Sequence, residues 1–195
     1  IHVWPEIKEN LSAIGKLYFE YFKERDNSVI TDLFTGQMYN KIKCDLCMTD
    51  SYYFYNFNDI TCGVPHGENL DAQRFTLTFL LQKRFEQRLR ARFCLNQACK
   101  NHYQQQELMV IEQIWKFPII LVIYLRRFRE ELPFNTSKVK FPLADLNLTL
   151  SNSMSEDDSR MKAINYKLFG ILHFLGDIAS GHYTAQILNL DDMRW

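Results

Sequence analysis

Two pairs of cysteines constrain this chain more than any other feature. Cys44-x2-Cys47 and Cys94-x4-Cys99 each set two thiols on a tight turn, and a fifth cysteine, Cys62, stands between the pairs in a Gly-Pro loop. Two thiolate pairs can close a tetrahedron around zinc with no position left open, which makes such a site structural. The alternatives are a set of free, buried cysteines, or a degenerate site that has lost its metal. Five thiols cannot all pair with one another, and four falling into two close pairs favours metal over disulfides. That usage fits an intracellular, reducing setting, cytoplasmic or nuclear. Cys62, with no paired cysteine, reads as a structural thiol.

The segments between and around the pairs alternate in period. From Pro5 to Phe22, Ile7, Leu11, Ile14, Leu17, Tyr18, Tyr21 and Phe22 recur at helical spacing, and Pro5 suits a first turn. Asn27-Ser28 offers a cap for a short second helix through Phe34, stopped by Gly36. Its apolar face, Ile30, Leu33 and Phe34, is expected on the first helix. Met38 to Lys43 reads as a strand delivering Cys44. Ser51 to Ile60 reads as a strand with both faces used, and Thr61 to Asp71 as a loop. Leu77 to Leu89 fits a helix on Leu77, Leu80, Leu81, Phe85 and Leu89. The basic run Lys83, Arg84, Arg88, Arg90 and Arg92 is then that helix's solvated face, with Phe85 and Phe93 in the core.

Beyond Cys99 the pattern is extended. Tyr103 to Trp115 reads as a long strand, and Pro118 to Phe128 as a buried one, because Ile119 to Leu125 is almost continuously apolar. Val139 to Leu150 gives a further extended piece, Ser151 to Arg160 a solvated mobile loop, and Tyr166 to Phe174 and His182 to Leu190 two closing strands. Helices first and strands later argue for α+β. The 23 basic and 23 acidic residues cancel, so neither a nucleic-acid nor a membrane footprint is expected. No apolar run approaches the ~18 residues of a membrane span, and no signal peptide opens the chain. Ile1-His2-Val3-Trp4 begins without methionine, as if cut from something longer.

Chemistry concentrates near the C-terminus, in Gly181-His182-Tyr183, where a polar loop gives way to an apolar run. A glycine before a histidine lets an incoming chain approach the backbone closely, and a histidine starting a strand is held in place by the sheet. Those are the needs of a general base; a lone histidine on a surface or in a core is the bland alternative. The ordered set of Leu33-Phe34-x-Gly36, the two cysteine pairs, Leu125-Arg126-Arg127-Phe128, Phe141-Pro142, Tyr166-x-Leu168, His173-x-x-Gly176, Gly181-His182-Tyr183 and Trp195 resembles the ubiquitin-specific proteases, papain-like cysteine deubiquitinases.

The resemblance implies a hand-shaped α+β domain: a thumb portion at 1–36, β fingers carrying a zinc ribbon at 37–115, and a β palm at 116–195. It implies His182 as general base, Gly181 and Tyr183 against the tail of ubiquitin, Cys44, Cys47, Cys94 and Cys99 on a structural zinc, and ubiquitin and ubiquitinated proteins as partners. The x4 spacing of the second pair departs from the family's x2. The family's nucleophile box has no match here: Thr61-Cys62-Gly63 has the wrong neighbours. Asp191 and Asp192 come too early to orient His182, a role the family places after a tryptophan in the position of Trp195. The chain alone is therefore expected to be inactive, and to fold poorly if the first helix lacks partners. Two other readings stand beside it: an inactive ubiquitin-binding scaffold of the same fold, and a zinc-ribbon module whose arginines read nucleic acid.

Overall fold

The computed structural model describes residues 2–3, 10–65, 75–128, 134–149, 163–176 and 180–195. Its elements are β1 (His2–Val3), α1 (Leu11–Arg25), α2 (Val29–Phe34), β2 (Gly36–Cys44), β3 (Thr49–Phe57), β4 (Ile60–Gly63), β5 (Phe75–Thr76), α3 (Leu77–Phe85), β6 (Arg88–Phe93), β7 (Gln105–Lys116), β8 (Ile123–Arg126), β9 (Val139–Lys140), β10 (Leu146–Thr149), β11 (Ala163–Tyr166), β12 (Gly170–Gly176) and β13 (Gly181–Ile187). They fall into two units. One comprises 1–60, 85–123 and 150–162, the other 61–84, 124–149 and 163–195.

The first unit is built on an antiparallel sheet in the order β1-β3-β2-β7-β6. Residues opposite one another share a face, so the registers Tyr39↔Phe54 and Ile42↔Val110 sort the core into two sets. Leu11, Tyr39, Tyr52 and Phe54 form one buried cluster, with Trp115 packed against it. Ile42, Cys44, Leu108 and Val110 form the other, with Cys94 and Cys99. Helix α1 covers the first set through Leu11, Gly15 and Phe19, spaced four apart on one stripe. One face of the helix packs on this chain's own sheet, while Leu17 and Tyr21 stay exposed, and it runs to Arg25, beyond the expected end at Phe22. The expected start at Pro5 lies outside the described residues.

Gly15 is where α1 comes closest to the sheet. A Cβ there would lie 2.7 Å from Trp115 Nε1 and 2.9 Å from Phe54, while Gln37 Nε2 donates to the Gly15 carbonyl at 2.9 Å. Alanine in place of glycine favours a helix by about 1 kcal/mol. Overpacking a filled core costs about 1–3 kcal/mol. Both rings are held in the aromatic cluster, so the second effect wins. Gly15→Ala is expected to lower the melting temperature by several degrees, as read by thermal denaturation.

Helix α2 starts as expected, with the Ser28 hydroxyl accepting from Thr31 N at 3.1 Å. Its expected packing face does not hold: Ile30 is 59% exposed, and only Leu33 and Phe34 are half-buried. Six residues cannot turn three apolar side chains toward one neighbour when the chain enters β2 directly at Gly36.

Three further expectations are corrected. The expected helix to Leu89 ends at Phe85, and Arg88 to Phe93 is a strand paired with β7 along its whole length. Arg-Leu-Arg-Ala-Arg-Phe alternates with period two, and a waiting partner decides between the readings. With that strand, Phe93 is exposed rather than core. The expected loop from Thr61 begins as β4, paired with β8, with Cys62 and Val64 fully buried. The buried strand expected over Pro118 to Phe128 shrinks to Ile123–Arg126, with Ile119 70% exposed and Tyr124 also exposed.

The second unit contains helix α3 and short ladders: β4 with β8, β5 parallel to β9, β10 with β11, and β12 with β13. The strand expected from Tyr166 to Phe174 is broken. β11 ends at Tyr166, and Leu168 N turns to Leu143 O at 3.1 Å before β12 opens at Gly170. Arg127 Nη1 donates to the carbonyls of Asn135 (3.0 Å) and Ser137 (2.6 Å), and Asn135 Nδ2 reaches Pro65 O at 2.7 Å. These bonds fix the segment that follows Leu125-Arg126. The stretch Ser151 to Arg160 lies outside the described residues. No helix of the described residues is long and apolar enough to cross a membrane.

Candidate functional site

Four sulfurs meet at one end of the large sheet. β2 ends on Cys44, and the turn before β3 carries Cys47, while Cys94 follows β6 and Cys99 precedes β7. Because β2 and β6 both pair with β7, their ends bring the two cysteine turns together. Cys44 Sγ lies 4.0 Å from Cys99 Sγ, Cys47 Sγ lies 3.6 Å from Cys94 Sγ, and all four ligand atoms fall within 4.8 Å of one another. A disulfide needs about 2.05 Å. Zinc at about 2.3 Å from four thiolates sets them about 3.8 Å apart, so the cluster has the size of a tetrahedral four-thiolate centre.

The turns are built to hold that geometry. Met48 takes φ 53, which swings the chain from Cys47 into β3. The longer second pair closes through Asn96: its carbonyl accepts from Cys99 N at 3.0 Å and its side-chain oxygen from Ala98 N at 3.0 Å. The two additional residues of the x4 spacing are absorbed there. Asn96 Nδ2 also donates to Thr49 Oγ1 at 3.1 Å, linking the turns, and His102 Nδ1 meets the Cys94 carbonyl at 2.7 Å. Burial disfavours charge at Cys47, yet hydrogen bonds from Thr49, Cys44 and Cys94 outweigh it and bring this thiol down to about 6. Burial pushes Cys94 up to about 12. Four crowded sulfurs cannot all carry charge alone, and a bound dication is what lets them.

His182 stands on the other unit, at the start of β13. The β12–β13 hairpin sets Gly176 opposite Gly181, Leu175 opposite His182 and Phe174 opposite Tyr183. Gly181, His182 and Tyr183 are all exposed. Among the described residues nothing hydrogen-bonds the His182 ring. On the other face, Phe174 packs against Tyr183 at 5.1 Å, Phe128 at 5.1 Å and Phe134 at 5.3 Å between ring centroids. That aromatic cluster anchors the histidine strand, and the recurrence of phenylalanine at 128, 134 and 174 was its one trace in the sequence. His173 Nε2 lies 3.0 Å from Gln186 Oε1, tying the two strands from side to side.

Gly176 has φ +116, and a Cβ there would fall 2.3 Å from Ser180 O. Substitution must open the hairpin just where Gly181 and His182 begin. Gly176→Ala is expected to cost about 1–3 kcal/mol, read as a lower melting temperature with loss of hydrogen-exchange protection in β12 and β13.

The other candidates sit as follows. Cys62 is fully buried on β4, and burial pushes its thiol up to about 11 against an opposing effect of Arg84. Asp191 and Asp192 belong to a tight turn: Asp191 N donates to Asn189 Oδ1 at 3.0 Å, and Asp192 Oδ1 accepts from Arg194 N at 3.2 Å. Trp195 is exposed.

A family model described as ubiquitin carboxyl-terminal hydrolase matches residues 5–195. The chain belongs to this family. Among curated members of the hydrolase family, ubiquitin carboxyl-terminal hydrolase Usp2 of Drosophila melanogaster is 28% identical over 192 residues, covering 97% of this chain and 20% of that protein. Ubiquitin carboxyl-terminal hydrolase 21 of Homo sapiens is 27% identical over 188 residues, covering 93% and 31%. This hydrolase-family chain thus spans about a fifth to a third of the length of these relatives. Its fold is similar to that of the SAGA Ubp8/Sgf11/Sus1/Sgf73 DUB module bound to ubiquitin aldehyde, with a TM-score of 0.62 at 21% identity over 84% of this chain and 36% of the other. For the SAGA DUB module bound to monoubiquitin the TM-score is 0.58 at 22% identity, over 82% and 34%. The α+β fold of a ubiquitin-specific protease is therefore the fold of this chain.

Proposed function

We propose that this chain is part of the catalytic domain of a thiol-dependent deubiquitinase, with His182 as its general base. The observation that carries the reading is the placement of Gly181-His182-Tyr183: exposed at the mouth of a hairpin, anchored by an aromatic cluster behind it, in a member of the hydrolase family. His182 takes the proton of a nucleophilic cysteine, whose sulfur attacks the carbonyl carbon of ubiquitin's terminal glycine. The same imidazole then protonates the departing amine, and water releases ubiquitin from the thioester.

Cys62 is unsuited to the nucleophile's part, since a buried thiol pushed up to about 11 is neither accessible nor ionised near neutrality. The nucleophile and the residue orienting His182 are assigned outside these 195 residues. Residues 1–36 serve as thumb portion, 37–115 as fingers and 116–195 as palm. Gly181 and Tyr183 line the path of ubiquitin's narrow tail, and ubiquitinated proteins are the substrates. Cys44, Cys47, Cys94 and Cys99 would hold a zinc ion that cross-links the finger turns, a structural part with no step in the chemistry. Four reduced thiols suit an intracellular protein.

The test uses the longest natural polypeptide containing this chain, mixed with ubiquitin bearing a thiol-reactive group at its C-terminus. Mass spectrometry should find one ubiquitin added, with addition lost in His182→Ala and kept in Cys62→Ala. Reversible ubiquitin binding without an adduct would instead establish an inactive scaffold.

A further inference from the structure

The large sheet ends on a strand with one neighbour. β6 closes the order β1-β3-β2-β7-β6, so among the described residues only β7 pairs with it, and no described strand lies along its outer edge. All six of its residues are exposed. Period two puts Arg88, Arg90 and Arg92 on one face and Leu89, Ala91 and Phe93 on the other.

The facing residues keep the two sides distinct. On the arginine face the partners on β7 are Val110, Leu108 and Gln106; Glu107 lies opposite Ala91, on the apolar face. Glu112, further along β7 on the same face as the arginines, is hydrogen-bonded by the Tyr55 hydroxyl. Arg92 and Arg90 both lie near enough to act on the Tyr53 hydroxyl, and Arg92 Nη1 donates to the Ala91 carbonyl at 3.1 Å. Along β6 itself no acidic residue shares the basic side.

Charge on an edge strand is also how sheets avoid pairing with copies of themselves. A guard of that kind does not account for Leu89 and Phe93, 54% and 53% exposed on the same strand, because exposed apolar side chains promote association. A strand basic on one face and apolar on the other is complementary to a partner strand acidic on one face and apolar on the other. We propose that β6 is a docking edge for an extended peptide whose acidic residues alternate with apolar ones. The peptide would add a strand to the sheet, its main chain pairing with β6, its carboxylates meeting Arg90 and Arg92 and its apolar side chains covering Leu89 and Phe93. The inference rests on the sheet and not on the hydrolase reading.

Fluorescence anisotropy tests it with the natural polypeptide containing this chain and a labelled probe of four Glu-Val repeats, at physiological salt. Saturable binding is expected, weakened about tenfold or more by Arg90→Glu. The double variant Arg90→Glu, Arg92→Glu should gain affinity for a Lys-Val repeat, a result misfolding cannot give. Methylating alternate backbone nitrogens of the Glu-Val probe should abolish binding, because its charge is kept while the ladder is blocked. Equal binding of the methylated probe would overturn the proposal. So would indifference to Arg90→Glu, or capture of a single-stranded oligonucleotide by the arginines in place of the peptide.

Discussion

If the four cysteines hold zinc as proposed, chelating it, or replacing Cys94 with serine, is expected to unfold the end of the large sheet. Structural zinc in small sites contributes about 10–16 kcal/mol of apparent binding free energy, against a whole-domain stability of about 5–15 kcal/mol. Here the ion would join the turn between β2 and β3 to the turn between β6 and β7. The links that remain without it, such as Asn96 Nδ2 to Thr49 Oγ1, are single hydrogen bonds worth about 1 kcal/mol each. Native mass spectrometry should find one zinc per chain in the wild type and none in Cys94→Ser, with new protease cleavage around residues 44–49 and 94–104.

Acid should have the same effect, and its sign follows from the thiols. Cys47 is held below its ordinary range, at about 6. A depressed thiol stabilises the fold above its unfolded value, and that contribution is lost as pH falls through about 6. In the metal-bound protein the other three thiolates must also take up protons for the ion to leave, so release steepens on the same side. Cys94, pushed up to about 12, has the opposite sign: without metal its neutral form is favoured, which makes the metal-free protein a poor binder until the ion displaces that proton. If the melting temperature were indifferent to chelator and no zinc co-purified, the four sulfurs would be buried thiols only.

The four-cysteine cluster was legible in the sequence because ligand spacing is local information, and two turns with the right thiols leave few other arrangements. The Ser28 cap and strand β7 were legible for similar reasons, resting on near-neighbour chemistry or on a long unambiguous period. β6 was not. Leu77 to Leu89 satisfies a helical stripe and Arg88 to Phe93 satisfies strand alternation, and only the edge of β7, close to Gln105–Val110, decides between them. The exposure of Ile119 could not be read from an apolar run, since composition says that a segment can be buried and not what lies over it. The break between β11 and β12 depends on Leu168 bonding back to Leu143, a contact between segments far apart in sequence. His182 stands out in the sequence as a candidate through a resemblance, while the aromatic support behind its strand became visible only when Phe128, Phe134 and Phe174 were brought together.

Replacing His182 with alanine should slow hydrolysis of ubiquitin's C-terminal amide by about 10²–10⁴-fold in the natural polypeptide, the span associated with general acid–base catalysis. The loss should fall in kcat. KM and the affinity for ubiquitin should hold if His182 acts as proposed, because a general base would meet only the reacting atoms and not the body of ubiquitin. Stability should hold as well: the side chain is exposed, and among the described residues nothing hydrogen-bonds its ring, so alanine removes no packing and leaves no polar group stranded. The behaviour expected of Gly176→Ala is the contrast, since opening the hairpin lowers the melting temperature and displaces His182 together. A merely structural histidine would resemble Gly176→Ala in losing stability and activity in step. A base would lose activity alone, and free imidazole added to the alanine variant should restore part of the rate by taking the vacated place beside the nucleophile. Normal melting, unchanged ubiquitin affinity and partial rescue together would assign the proton transfer to the residue at position 182. Unchanged turnover in His182→Ala would remove the base from this strand altogether, leaving the hairpin as a binding surface for the ubiquitin tail.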